Sequence, residues 1–145
     1  MKNLYIIRGL PGSGKTTLAR TLAPLVIEPD MFRYTADMQY KFDSDRNAEV
    51  LRKVEDLAVY AVRRLKMPAL AIAATHTRVE HIRKYIRLGL DNGYSVTVIE
   101  CRGNYGNVHG VPESVVARMR SEFETLDSAR AKELGVISVI HGECP

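Results

Sequence analysis

The sequence has no long apolar run. None of its hydrophobic stretches approaches the ~20 residues that a helix needs to cross a bilayer, and Met1-Lys2-Asn3-Leu4 leads straight into a strand pattern instead of a cleavable leader. A cytoplasmic protein with no membrane partner is therefore expected. Cysteine is also scarce, at two residues. Cys101 and Cys144 lack metal-ligand spacing and are too few for a secreted disulfide framework, so both are expected reduced, as small apolar side chains. Repeats, linkers and low-complexity tracts are missing too. A chain of 145 residues without internal seams is expected to form one domain over 1–145, large enough to bury a core and too short for two.

Hydrophobic residues make up 46% of the chain and charged residues 26%, which excludes a disordered chain. The net charge of +4 suits a polyanionic partner, although ATP alone would meet that need. Along the chain, strand and helix signals alternate. Leu4 to Arg8 reads as a buried strand running into Gly9, with a helix from Lys15. Val26 to Asp30 reads as a second strand, stopped by Pro29 and placing Asp30 at its end. Between Asn47 and Lys66, Val50, Leu51, Val54, Leu57, Ala58, Ala61, Val62 and Leu65 fall on one helical face. Ala69 to Ala74 is apolar throughout, as in a strand covered on both faces, and reads as the central strand. A helix follows from Arg78 and ends in a left-handed cap at Asn92-Gly93. Ser95 to Cys101 forms the fourth strand. A mobile Gly-rich loop over 102–110, a helix from Glu113, a short helix around Leu126 to Leu134 and a last strand over Val136 to Ile140 complete the series. Five such alternations predict an α/β three-layer sandwich with an open parallel sheet of about five strands, whose ligands bind at the carboxyl ends.

Gly9-Leu10-Pro11-Gly12-Ser13-Gly14-Lys15-Thr16 is a complete phosphate-binding P-loop between a predicted strand and a predicted helix. By composition alone that spelling arises in roughly one chain of this length in a few hundred. The glycines let backbone N–H groups turn around a phosphate, Lys15 is expected to reach the outer phosphates, and Thr16 to ligate Mg²⁺ with Thr17 beside it. No Asn-Lys-x-Asp segment of the guanine-binding type is present. ATP is the expected nucleotide, within a P-loop NTPase fold of the kinase type.

The P-loop, then Ile27-Glu28-Pro29-Asp30-Met31-Phe32-Arg33, then His109-Gly110-Val111-Pro112, resembles the 5′-kinase domain of bacteriophage polynucleotide kinases and their stand-alone relatives, from Met1 to about Glu124. The resemblance implies that Asp30 is the general base on the attacking hydroxyl and that Arg33 binds the acceptor's phosphate. Arg102, at the start of the glycine-rich lid, roughly matches a donor-clamping arginine, and Arg118 and Arg120 are possible substitutes. His109 falls on a family position that turns the lid into the next helix. The implied acceptor is a 5′-OH end of DNA or RNA. The segment Tyr34 to Asp43, with Phe32, Tyr40 and Phe42 among Lys and Arg, suits either stacking on a nucleic-acid strand or packing on the sheet.

The chain departs from this pattern at Ala73-Ala74-Thr75-His76-Thr77, where such kinases carry an acidic residue that helps hold the metal. Thr75 is expected to bond a metal-bound water, and His76 either to touch substrate or to pack. Three readings stay open on sequence: a nucleic-acid 5′-hydroxyl kinase, a kinase for a nucleoside, nucleotide or modified DNA base, and an ATP-binding module without turnover.

Overall fold

A computed structural model of the chain describes residues 1–106 and 110–142. Strand β1 (Lys2–Arg8) enters the P-loop and helix α1 (Lys15–Leu22), followed by β2 (Leu25–Ile27) and two single-turn 3₁₀ helices, Pro29–Phe32 and Ser44–Arg46. Then come α2 (Asn47–Arg63), β3 (Ala69–Ala74), α3 (Val79–Asp91), β4 (Tyr94–Cys101), α4 (Glu113–Glu122), α5 (Ser128–Leu134) and β5 (Ile137–His141). The five strands form a parallel sheet in the order β2-β3-β1-β4-β5. The central strand is thus β1, not β3 as the apolar run at 69–74 led us to expect. Full burial needs a covered strand, and β3 between β2 and β1 is covered without being central.

Side chains alternate across each strand. In β1, Leu4 and Ile6 face a core built with Val54, Ala58 and Val62 of α2 and with Ile82 and Ile86 of α3. Ile7 faces the other layer, where it packs with Ala19 of α1 and with Ala71, Ala73, Ile99 and Cys101. Cys101 is a buried free thiol, whereas Cys144 lies outside the described residues. Helices α2 and α3 carry buried residues at helical spacing, but Leu51 and Leu65, read from sequence onto the same face of α2, are exposed, and Leu65 lies past the helix end at Arg63. Gly93, at φ 79°, follows the last turn of α3 as the expected left-handed cap. In the second strand the boundary is shorter than predicted: β2 stops at Ile27, and Asp30 lies in the 3₁₀ turn that Pro29 opens. Proline has no N–H for the ladder and a φ already suited to a helical first position, so the extended chain ends before it. Among the described residues no helix is long and apolar enough to cross a membrane.

Candidate nucleotide and acceptor site

The P-loop leaves the carboxyl end of the central strand. Gly12 and Gly14 sit at φ 81° and 92°, left-handed positions that an L side chain rarely adopts. Gly14 caps α1 without a side-chain hydrogen bond, and the first turn of α1 carries no acidic residue. The helix start therefore offers uncompensated N–H groups and positive potential, which is the requirement for an anion cradle. Ser13 N–H closes the bend on the Leu10 carbonyl at 3.1 Å. Ser13 is itself buried, and its hydroxyl has no hydrogen-bond partner among the described residues. Lys15 folds its ammonium back onto the carbonyls of Gly9 and Leu10, both at 2.9 Å. Burial pushes its pKa down to about 8, against the opposing pull of the Cys101, Asp30 and Glu28 side chains. Thr17 faces solvent.

The lid's first residues lie on this loop. Tyr105 N–H donates to the Gly12 carbonyl at 2.8 Å, and a Cβ on Gly12 would stand 2.2 Å from the Gly106 carbonyl oxygen. Tyr105 and Gly106 thus lie on the P-loop, where Gly12 has no side chain to keep them off. Arg102 pairs with the buried carboxylate of Glu100. Arg118 and Arg120 are exposed on α4, and Val108 and His109 lie outside the described residues.

The second cluster follows β2. Thr16 donates its hydroxyl proton to Glu28 Oε2 at 2.7 Å. Two residues further on, Asp30 Oδ1 accepts from the Tyr40 hydroxyl at 2.8 Å and lies 3.4 Å from Arg33 Nε. Arg33 is held on three sides: by Asp30, by Asn47 Oδ1 at 2.7 Å from Nη2, and by the Phe42 ring 4.8 Å from its guanidinium carbon. The Tyr40 pKa is pushed up, mainly by burial and then by its hydrogen bond to Asp30. Since Lys15 feels both Asp30 and Glu28, the two carboxylates share one electrostatic environment with the P-loop lysine. The structure thus brings together Lys15, Thr16, Asp30 and Arg33 among the residues singled out from sequence.

Sequence reading missed three partners. Glu28 is the first: its backbone is extended just past β2, and its side chain meets the first hydroxyl of α1, a contact between residues 12 apart that no local pattern announces. Tyr40 is the second, flagged only as an aromatic, yet its hydroxyl engages Asp30. Arg8 is the third. Fully buried at the end of β1, it donates Nε and Nη2 to the His76 carbonyl at 3.0 and 2.7 Å and stacks 4.5 Å over Phe123. Burial pulls its pKa down while Glu100 and Glu124 oppose that. His76, at φ 41°, turns its ring away into the core beside Tyr85, 5.9 Å between centroids. Burial foremost, then Arg8, lowers its pKa to about 3, so it is neutral and packs. Gly9 N–H bonds the Thr75 carbonyl at 3.3 Å, which ties the end of β3 to the loop.

Comparison with known proteins fits this geometry. Residues 4–104 match the family described as AAA domain. The 2′,3′-cyclic-nucleotide 3′-phosphodiesterase of Pongo abelii is 31% identical over 105 residues, 68% of this chain and 24% of that protein. NEDD4-binding protein 2 of Homo sapiens is 27% identical over 135 residues, 83% of this chain and 8% of that protein. The chain thus spans a quarter or less of the length of either relative. Among solved structures, Chaetomium thermophilum Kti12 in complex with ADP-AlF3 superposes with a TM-score of 0.64 at 15% identity, covering 96% of this chain and 88% of that one. A gluconokinase from Sinorhizobium meliloti gives 0.59 at 14% identity over 98% of this chain and 84% of that one. A P-loop bend at the centre of a five-stranded parallel sheet, matched over most of the chain, is a P-loop kinase-like fold, and the chain belongs to the AAA domain family.

Proposed function

We propose that residues 1–145 act as one kinase domain that transfers the γ-phosphate of ATP to a hydroxyl of nucleic acid, a 5′-OH end of DNA or RNA. The observation that carries this reading is the Asp30–Arg33 pair beside the P-loop: a carboxylate to accept a proton and, 3.4 Å away, a guanidinium to fix a neighbouring phosphate. The cradle formed by Gly9, Leu10, Pro11, Gly12, Ser13 and Gly14 receives the donor phosphates, with Thr16 and Thr17 behind it. Lys15 exchanges its two loop carbonyls for the outer phosphates. In transfer, the acceptor oxygen forms a bond to the γ-phosphorus, the bond from that phosphorus to the bridging oxygen breaks, ADP leaves with the electron pair, and the acceptor's proton passes to Asp30. Alignment and charge stabilisation supply most of the acceleration.

Mg²⁺ fits the residues present. A hydroxyl and a carboxylate already 2.7 Å apart, Thr16 and Glu28, are hard oxygen donors of the kind that ion takes alongside phosphates and water. When bound, the ion neutralises charge on the transferring phosphate. Glu28 thus offers the acidic group that Ala74 lacks. Arg102, paired with Glu100 at the start of the lid, is assigned to the donor.

Labelled ATP offered with 5′-OH oligonucleotides, mononucleosides or no acceptor tests the reading. Label on oligonucleotide supports it; label only on small acceptors moves the chain to the metabolite kinases, and none on any acceptor leaves a nucleotide-binding module. Lys15→Ala is expected to abolish ATP retention, and Asp30→Asn to spare ATP binding while cutting transfer by about 10². Full turnover in Asp30→Asn would remove Asp30 from the chemistry.

A further inference from the structure

Next to the proposed acceptor site lies a cleft of about 100 Å³ that the kinase reading does not use. A water needs only ~10–15 Å³, so the space admits a phosphate group with its solvent. Its walls carry three cations, Arg33, Lys41 and Arg46, against one carboxylate, Asp43, with Phe32 and Tyr34 as ring surface. Asp43 is partly committed, since one of its oxygens caps the following turn by accepting from Asp45 N–H at 3.0 Å. Arg46 keeps one exposed partner, Glu49, at 3.5 Å.

The wall is a built hairpin. Lys41 N–H bonds the Arg33 carbonyl at 2.7 Å and Thr35 N–H bonds the Gln39 carbonyl at 2.8 Å, with an isolated antiparallel bridge between Tyr34 and Tyr40. The two tyrosine rings meet edge to face, 5.8 Å between centroids. Arg33 connects the two sites: its Nε faces Asp30, and the same residue lines the cleft. A ligand whose hydroxyl sits on Asp30 and whose first phosphate sits on Arg33 would therefore continue into the cleft.

Resting on the kinase reading above, we propose that this cleft is a second acceptor subsite, in which Lys41 and Arg46 hold the phosphodiester one nucleotide beyond the terminus while Tyr34 offers a ring to the adjoining base. The subsite makes single-stranded polynucleotide, as distinct from a mononucleotide, the preferred acceptor. Rings stack any base and cations follow the backbone, so the preference is for chain length and not for sequence.

The test compares 5′-OH acceptors of one, two, three and six nucleotides, beginning with a nucleoside 3′-monophosphate, in wild type and in the Lys41→Ser/Arg46→Ser double variant. Both side chains are solvent-exposed, so the variant is expected to fold, and its thermal midpoint checks this. In wild type, kcat/KM rises from one nucleotide to three and then levels. In the variant, the ratio of kcat/KM for the trinucleotide to that for the nucleoside 3′-monophosphate falls about tenfold, through KM. The dependence of log affinity on log salt loses about 0.7 in slope, one single-strand phosphate contact. Equal losses on short and long acceptors, or none, overturn the subsite while leaving the kinase reading intact. If no acceptor is phosphorylated the kinase reading fails, and anisotropy with 3′-labelled hexanucleotide still decides the subsite: unchanged affinity in the double variant refutes it.

Discussion

Raising the pH should weaken ATP binding through one side chain. Lys15 is held in a partly desolvated pocket, its ammonium on two backbone carbonyls at 2.9 Å, and its pKa there is lowered from 10.5 to about 8. Without nucleotide it loses its proton as the pH passes 8. Phosphates laid against it favour the charged form, and a return to the ordinary 10.5 is the smallest restoration expected of a polyanion. With the folded pKa low and the nucleotide-bound pKa high, affinity is fully present below about pH 7.5 and is lost as the pH rises through 8. Between pH 7 and 9.5 the association constant should drop about 30-fold, or ~2 kcal/mol, because above pH 8 each bound ATP must first recover the missing proton.

Calorimetry in buffers of different ionisation enthalpy reads this directly. At pH 8.5 about 0.75 proton should enter per ATP bound through Lys15, and Lys15 should contribute almost none at pH 6.5. Lys15→Arg keeps its charge throughout and should bind with a flat profile over the same range. The nearby Cys101 thiol, itself raised by burial, is a neighbouring group that could mimic the effect, and Cys101→Ala should leave the slope in place. A flat wild-type profile, or an equal slope in Lys15→Arg, would refute the argument.

Three other substitutions probe separate links. Gly12→Ala forces a side chain onto a left-handed residue whose Cβ would stand 2.2 Å from the Gly106 carbonyl oxygen, and should weaken ATP at least tenfold by titration; wild-type affinity would show that the lid's close approach is dispensable. Tyr40→Phe removes the phenol that donates to Asp30 at 2.8 Å; kcat for transfer should fall about three- to tenfold with the ATP Kd unchanged, and a parallel loss of ATP affinity would count against a role confined to the acceptor side. Arg8→Met leaves the His76 carbonyl without its two donors and strips Glu100 and Glu124 of a nearby cation. Urea unfolding should report a loss of about 3 kcal/mol, and one below 1 kcal/mol would mean that the buried guanidinium is nearly neutral in net worth.

The parts of this molecule legible in sequence are those set by local chemistry. Helical spacing in α2 and α3, the unbroken apolar run of β3 and the Gly-rich bend all follow from neighbours within one or two turns, and the elements form there, although Leu51 and Leu65 fall off the buried face of α2. Strand order was less accessible, since the apolar run of β3 records burial on two faces and not position in the sheet. Arg8 was invisible for the same reason. Nothing in a run read as a buried strand announces that its last side chain will find a carbonyl 68 residues away.

A carboxylate stands beside the start of α1 although Ala74, at the end of β3, is not acidic. Strands β2 and β3 are paired with Ile27 opposite Ile72, so Glu28, one residue past that pair, leaves its strand level with Ala73. Its carboxylate meets Thr16 at 2.7 Å, the first hydroxyl of α1. A carboxylate oxygen next to the threonine is thus supplied from the end of β2. Glu28→Gln, isosteric but uncharged, should therefore raise the Mg²⁺ concentration needed for half-maximal transfer by about tenfold without loss of metal-free nucleotide binding, and an unchanged Mg²⁺ requirement would return the metal to Thr16 and the phosphates alone.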